Sequence, residues 1–316
     1  MKLIKCVLLI TFFLNKVSSQ RSNSCNNPSQ RALWTDLTSD EKSSYIAATK
    51  CLQTKPSITG LSPSKSLFDD FTAVHIRLDT DIHNVAAMLP WHSGFVYARE
   101  MHLRNCGFKG RLPGWNWTRQ ADLNDPFHDV IFDNTNGLGG NGNSRSNYAI
   151  TSGPFARFQV DLIMQDSDIV FSSHLLKRQF SSEDDGQSLG YSNLRNSKTI
   201  GTLMKKKSYE DFRLYIERPH SSVHDMLGGD MGQIHSPNDP FFFMHHVQID
   251  YLWRQWQAAD PDKRLSDYYG NLGNADEYDG PFDATLNDDL RYFNLIPDIK
   301  VRDVMNSQGG TLCYKY

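Results

Sequence analysis

Apolar positions return at helical spacing in five stretches of this 316-residue chain, and polar or glycine-rich runs separate them. In the first, Arg31–Leu52, Thr38 or Ser39 caps a helix that turns Tyr45, Ala48 and Leu52 inward. Phe68–His75 sets Phe68, Phe71 and His75 near one stripe, and the aromatic run Trp91–His102 leads to a face shared by His92, Val96, Arg99 and Leu103. Lys207–Glu217 resumes the helical period through Phe212, Tyr215 and Ile216. Leu227-Gly-Gly-Asp-Met-Gly232 breaks the helix that follows. Ser236-Pro-Asn-Asp-Pro240 then starts the last long helix, with Asp239 as its cap and Pro240 in its first turn, and the period runs on through Ile249, Trp253 and Trp256. From residue 122 to 208 the pattern is mostly irregular, and the tract Asn136-Gly-Leu-Gly-Gly-Asn-Gly-Asn-Ser144 reads as a long loop. There is no clean linker and no repeat beyond the two histidine-bearing segments.

Those two segments hold the chemistry. His220 and His224 stand at i and i+4, so one helix face carries both imidazoles, and His246 sits one turn before Asp250 on the next helix. Together they form a three-imidazole site suited to a borderline metal. Before residue 100, His75, His83 and His92 form a second set of three. An isolated histidine is ordinarily a hydrogen-bonded core or surface group, but six within two aromatic, helix-forming segments are a metal-binding pattern. His128, His174 and His235 lack that context and are expected at the surface or behind the site.

Composition narrows the picture. With 39% apolar and 12% aromatic residues the chain can fill one sizeable core. Residues 1–19 carry a basic start, an apolar run to Leu14 and small residues at Val17-Ser-Ser19, which predicts a secretory signal peptide too short to anchor in a bilayer. Residues 20–316 would then be one secreted, extracellular domain with no membrane anchor. Losing Lys2, Lys5 and Lys16 takes the formal charge from −3 to about −6, which leaves no basic field for nucleic acid. Cys25, Cys51, Cys106 and Cys313 remain for an oxidising compartment, and three pairings are open. Asn116-Trp-Thr118 is a glycosylation sequon between two tryptophans with the look of core residues.

Set side by side, Phe68-Asp-Asp-Phe-Thr-Ala-Val-His75, Ile82-His83, Leu89-Pro-Trp-His92, His220-x3-His224 and Ser236-Pro-Asn-Asp-Pro-Phe-Phe-Phe-Met-His-His-Val-Gln-Ile-Asp250 resemble the tyrosinase family, specifically its short, secreted fungal members. The resemblance covers roughly residues 25 to 316. It implies a mainly α fold in which a four-helix bundle holds a dicopper centre, with long irregular loops and few short strands. It further implies two copper ions, the first on His75, His83 and His92 and the second on His220, His224 and His246, with O2 as co-substrate. His246 is preferred to His245 because the family's ligand stands four residues before the aspartate, here Asp250. Glu217 matches an acidic residue that positions a water, and Cys313-Tyr-Lys-Tyr316 resembles the tyrosine motif closing the family's core domain.

The implied reaction is oxidation of a small phenol, catechol, o-aminophenol or peptide-borne phenol to an o-quinone, in secondary metabolism or pigment formation. Two serines depart from the pattern. Ser93 stands where arginine is usual, and Ser221 stands where members with strong phenol hydroxylase activity have asparagine, so diphenol oxidation is expected to outrun monophenol hydroxylation. Asp81 replaces the cysteine that cross-links a copper ligand in many relatives. Asp250, one turn beyond His246, is the acid expected to fix an imidazole tautomer. A haemocyanin-like oxygen carrier and a weakened metal-binding or structural protein are the alternatives. A dizinc or diiron hydrolase fits less well, because such sites usually include carboxylate ligands.

Overall fold

The computed structural model describes residues 25–123, 127–181, 187–273 and 283–316; the leader expected at 1–19 lies outside them. In chain order the helices are α1 (Ser39–Cys51), α2 (Leu67–Arg77), α3 (Asp79–Ile82), α4 (Met88–Asn105), α5 (Trp117–Asp122), α6 (Gln187–Arg195), α7 (Ser197–Leu203), α8 (Tyr209–Leu227), α9 (Phe241–Ala258), α10 (Pro261–Arg264) and α11 (Val301–Met305). The strands are short: β1 (Ser29–Leu33), β2 (Leu112–Gly114), β3 (Gln159–Gln165), β4 (Asp168–Leu175), β5 (Asp289–Leu290), β6 (Ile299–Lys300) and β7 (Tyr314–Lys315).

Four helices make the centre. Phe71 of α2 lies 5.3 Å from Phe95 of α4 and 5.6 Å from Phe243 of α9, ring centre to ring centre. Phe212 of α8 meets Trp256 of α9 at 5.0 Å. These contacts join all four helices through apolar rings, whose burial is the main stabilising contribution of such a bundle. The helix starts are well capped. Thr38 and Glu41 form a reciprocal capping box on α1, Ser66 and Asp69 another on α2, and Ser208 accepts from the Asp211 amide at the start of α8. Helix α8 carries Pro219 inside it and still runs unbroken past both of its histidines. No helix among the described residues is long and apolar enough to cross a membrane.

The chain ends close the bundle. Strand β1 lies between β2 and β7, parallel to both, and the disulfide Cys25–Cys313 joins the two ends beside it. Cys51–Cys106 ties α1 to the end of α4. The segment read as irregular holds more order than its sequence suggested. β3 and β4 form an antiparallel hairpin whose two-residue turn, Asp166-Ser167, has both φ angles positive, as hairpin turns require. The stretch Asn136–Ser144 is loop as expected, apart from a 3-10 turn beginning at Ser144. Asp239 has a larger task than the cap foreseen for it. Its carboxylate does accept from the Phe241 amide, but it also takes the buried Arg178 guanidinium at 2.6 and 2.9 Å, and Arg178 reaches on to the Gly139 carbonyl at 2.6 Å. The glycine-rich loop is thereby fastened to the start of α9.

Candidate metal centre

Helices α2 and α4 and the turn after α3 bring His75, His92 and His83 together, and α8 and α9 bring His220, His224 and the pair His245-His246 together. Within each cluster the potential ligand nitrogens lie within 4.8 Å of one another. The clusters adjoin: the rings of His92 and His246 stack at 4.5 Å, and His92 lies 6.2 Å from His220. Neither cluster includes a cysteine or a carboxylate among the described residues.

Five of the six imidazoles are held from behind, through Nδ1. Nδ1 of His92 faces the Met88 carbonyl at 2.7 Å and Nδ1 of His246 faces the Phe242 carbonyl at 2.9 Å, each four residues back on its own helix. His75 Nδ1 meets the Ile234 carbonyl at 2.7 Å, and His224 Nδ1 meets the Met231 carbonyl at 2.8 Å. A carbonyl can only accept, so these four Nδ1 atoms carry the proton and Nε2 is left with its lone pair. His83 differs. Its Nδ1 is held by the Asp79 carboxylate at 2.8 Å, and its side chain is 18% exposed.

The Nε2 atoms point at one another. His220 Nε2 lies 3.2 Å from Nε2 of both His224 and His246, and a proton on it can serve only one of those two acceptors. Nε2 of His75 and His92 is buried with no hydrogen-bond partner. Unsatisfied buried acceptors are costly, and converging lone pairs repel, so the donor set fits a cation at each cluster. Burial holds His75, His92, His220 and His246 well below the usual histidine range and takes His224 down to about 4, so these five are neutral donors at ordinary pH.

One loop serves both clusters. Residues 228–236 supply the carbonyls of Met231 and Ile234, which hold His224 and His75. Gly228 and Gly229 both have positive φ, and a Cβ on either would collide with the carbonyls of Gln179 and Lys177, so only glycine admits this approach. Asp230 pins the loop, accepting from the Lys177 amide at 2.8 Å, from His174 Nε2 at 2.9 Å and from Asn238 at 3.1 Å. His174 and His235 thus stand behind the site, as expected for them; His235 Nδ1 accepts from the Met164 amide on the hairpin. This support was not legible in the sequence, apart from the paired glycines.

Asp250 does not orient an imidazole. His246 already has the Phe242 carbonyl, and the 2%-exposed carboxylate of Asp250 instead accepts from Arg31 at 3.0 Å, Tyr314 at 2.6 Å and Tyr316 at 2.5 Å, with Arg254 at 3.2 Å. Burial alone would raise its pKa; the charges of Arg254 and Arg31 and the two tyrosine hydroxyls outweigh that and hold it below the usual range. Ser93 belongs to the same cluster, accepting from Arg254 Nη2 at 2.6 Å and lying 3.0 Å from the Tyr314 hydroxyl. Ser93 is thereby joined to the guanidinium of Arg254 on α9. Asp81 has an exposed partner, Arg291.

A cleft of about 440 Å³ opens onto His75, His83, His220 and His224, and Glu217, Ser221 and Asp225 line it from α8. Glu217 accepts from Arg213 at 2.6 Å; burial raises its pKa more than Arg213 lowers it. Ser221 is exposed at the cleft. His245 packs against His220 and Trp117, at 5.1 and 6.1 Å.

A profile of the common central domain of tyrosinase matches residues 65–259. The tyrosinase-like protein phomQ2 of Diaporthe leptostromiformis is 33% identical over 312 residues, 96% of this chain and 76% of that protein. Tyrosinase ustQ of Aspergillus flavus is 34% identical over 300 residues, 92% of this chain and 80% of that protein. Among solved structures, a variant of a polyphenol oxidase from Thermothelomyces thermophila superposes with a TM-score of 0.76 at 28% identity, over 92% of this chain and 88% of that one.

Proposed function

This chain belongs to the tyrosinase family of type 3 dicopper oxidoreductases, which oxidise phenolic substrates with O2, and from that premise we propose the division of labour at its site. His75, His83 and His92 hold one copper, and His220, His224 and His246 hold the other. The observation that carries this is the pair of carboxylate-free histidine clusters with Nε2 lone pairs converging. Neutral nitrogen donors suit copper in both of its common oxidation states. When bound, the copper pair lets O2 be reduced at the expense of the phenol.

The protein's own share is to hold, orient and move protons. The carbonyls behind His75, His92, His224 and His246 keep those four lone pairs aimed forward. Glu217, anchored on one oxygen by Arg213, takes no other donor among the described residues, and its raised pKa suits it to accept a proton from a water or a substrate hydroxyl. Ser221, at the same wall, can hydrogen-bond but reaches less far than an asparagine. Catechols, which need only oxidation, are therefore turned over faster than the matched monophenols, which need a proton managed during ring attack. An oxygen carrier is disfavoured, because the cleft has room for an aromatic ring at the histidines.

Residues 1–19 act as an export signal, and residues 20–316 work as one extracellular domain. The pairs Cys25–Cys313 and Cys51–Cys106 support this reading, since such bonds persist in oxidising compartments.

Metal analysis with oxygen-uptake measurements tests the whole. Two coppers per chain and O2 consumption with a catechol are expected; a protein that prefers zinc and consumes no O2 would end the oxidase reading. Ser221→Asn is expected to narrow the gap between a monophenol and its catechol, and an unchanged ratio would remove the role given to Ser221.

A further inference from the structure

We propose that Asp225 makes this cleft selective for phenols carrying a protonated amine on the part of the molecule farthest from the reacting hydroxyl. The inference rests on the oxidase reading above, because it places the reacting end of the substrate at the histidines.

Glu217, Ser221 and Asp225 follow one another at intervals of four on α8 and form the row beside His220 and His224. A substrate whose hydroxyl reaches the histidines lies along this row. Of the three carboxylates in the cleft, Asp79 is engaged by His83 and Glu217 by Arg213. Asp225 is exposed and has no hydrogen-bond or ion-pair partner among the described residues. Among the described residues, no lysine or arginine lines the cleft. The internal segments outside the described residues, 124–126, 182–186 and 274–282, contain none either. The nearest competing cation in sequence is Arg218, which is exposed two turns before Asp225 and does not line the cleft. Met88, Met164 and Met231 give the cleft apolar, polarisable surface for a ring. Such a cleft attracts an ammonium group and repels a carboxylate at the same position.

A charge pair at contact distance in a watery setting changes binding about fivefold. Attraction of one substrate and repulsion of the other therefore separate them by about tenfold or more at low salt, and salt shrinks the difference.

The test uses the copper-loaded full chain with three catechols of like ring: dopamine, neutral 4-methylcatechol and 3-(3,4-dihydroxyphenyl)propionic acid. kcat/KM is expected to fall in that order, with the difference residing in KM and shrinking at high ionic strength. Asp225→Asn brings the dopamine-to-acid ratio close to one, and Asp225→Glu restores the preference. In parallel, calorimetry on the purified protein measures binding of tyramine and 3-(4-hydroxyphenyl)propionate, which gives a readout independent of turnover. Selective tyramine binding that Asp225→Asn abolishes, in a protein that oxidises none of the catechols, upholds this inference while sinking the oxidase reading. Equal or reversed preference in the native chain overturns it, as does a ratio that Asp225→Asn leaves alone. A carboxylate preference that Arg218→Gln abolishes also overturns it and moves the recognition to Arg218.

Discussion

Replacing Asp250 by asparagine tests how the bundle is held closed. The native carboxylate has almost no exposure and neutralises two guanidinium groups, Arg31 and Arg254, that are themselves 0% and 8% exposed. It also accepts from Tyr314 and Tyr316 at the other end of the chain. Asparagine keeps the volume and removes the charge, leaving two buried cations with only Glu100 near Arg31, at 3.6 Å. Breaking a buried ion pair by removing one partner costs about 3–5 kcal/mol. For a chain of this size each kcal/mol corresponds to about 2 °C, so Tm is expected to drop by about 6–10 °C. Thermal unfolding of the metal-free protein, followed by ellipticity, measures this directly. The folded fraction of the variant is expected to keep its copper affinity, because His246 is oriented by the Phe242 carbonyl. A variant with native Tm but copper affinity weakened about 10–100-fold, the usual cost of losing an acid that orients a ligand, would refute the reasoning and restore Asp250 as the partner of His246.

The loop behind the histidines has its own pH window. His174 is raised by its hydrogen bond to Asp230, so its stabilising share is complete below about pH 6.5 and is lost as pH rises through its folded value. Asp230 is held below the usual range, the His174, Lys177 and Asn238 contacts outweighing burial, so its share is present above about pH 4 and is lost on further acidification. The stability difference between the native chain and Asp230→Asn, measured by urea unfolding, is therefore expected to be greatest between about pH 4 and 6.5; a flat difference would contradict it. Gly228→Ala is expected to cost about 1–3 kcal/mol in the same assay, because it combines a positive φ with a carbonyl collision, and a neutral result would show that the loop yields.

The sequence made the two histidine segments plain because their chemistry is local. An i,i+4 pair and a proline-led helix start are patterns within a few residues of each other, and both lie on long helices as expected. What escaped is long-range or ambiguous. Val160 and Leu162 alternate inward on β3, but the pattern is short and most of the hairpin is half-exposed, so it reads as irregular chain. β1 exists only because residues near 112 and 314 come to it. Spacing pairs Asp250 with His246, whereas its carboxylate takes Arg254 one turn on and three further partners 219, 64 and 66 residues away. Ser93 departs from the family pattern, and its partner Arg254 lies 161 residues on.

The loop of residues 228–236 also joins the two halves of the site. Its Ile234 carbonyl steadies His75 in one cluster and its Met231 carbonyl steadies His224 in the other. The two clusters are thus tied to one piece of backbone, and a displacement of that backbone reaches the imidazoles of both.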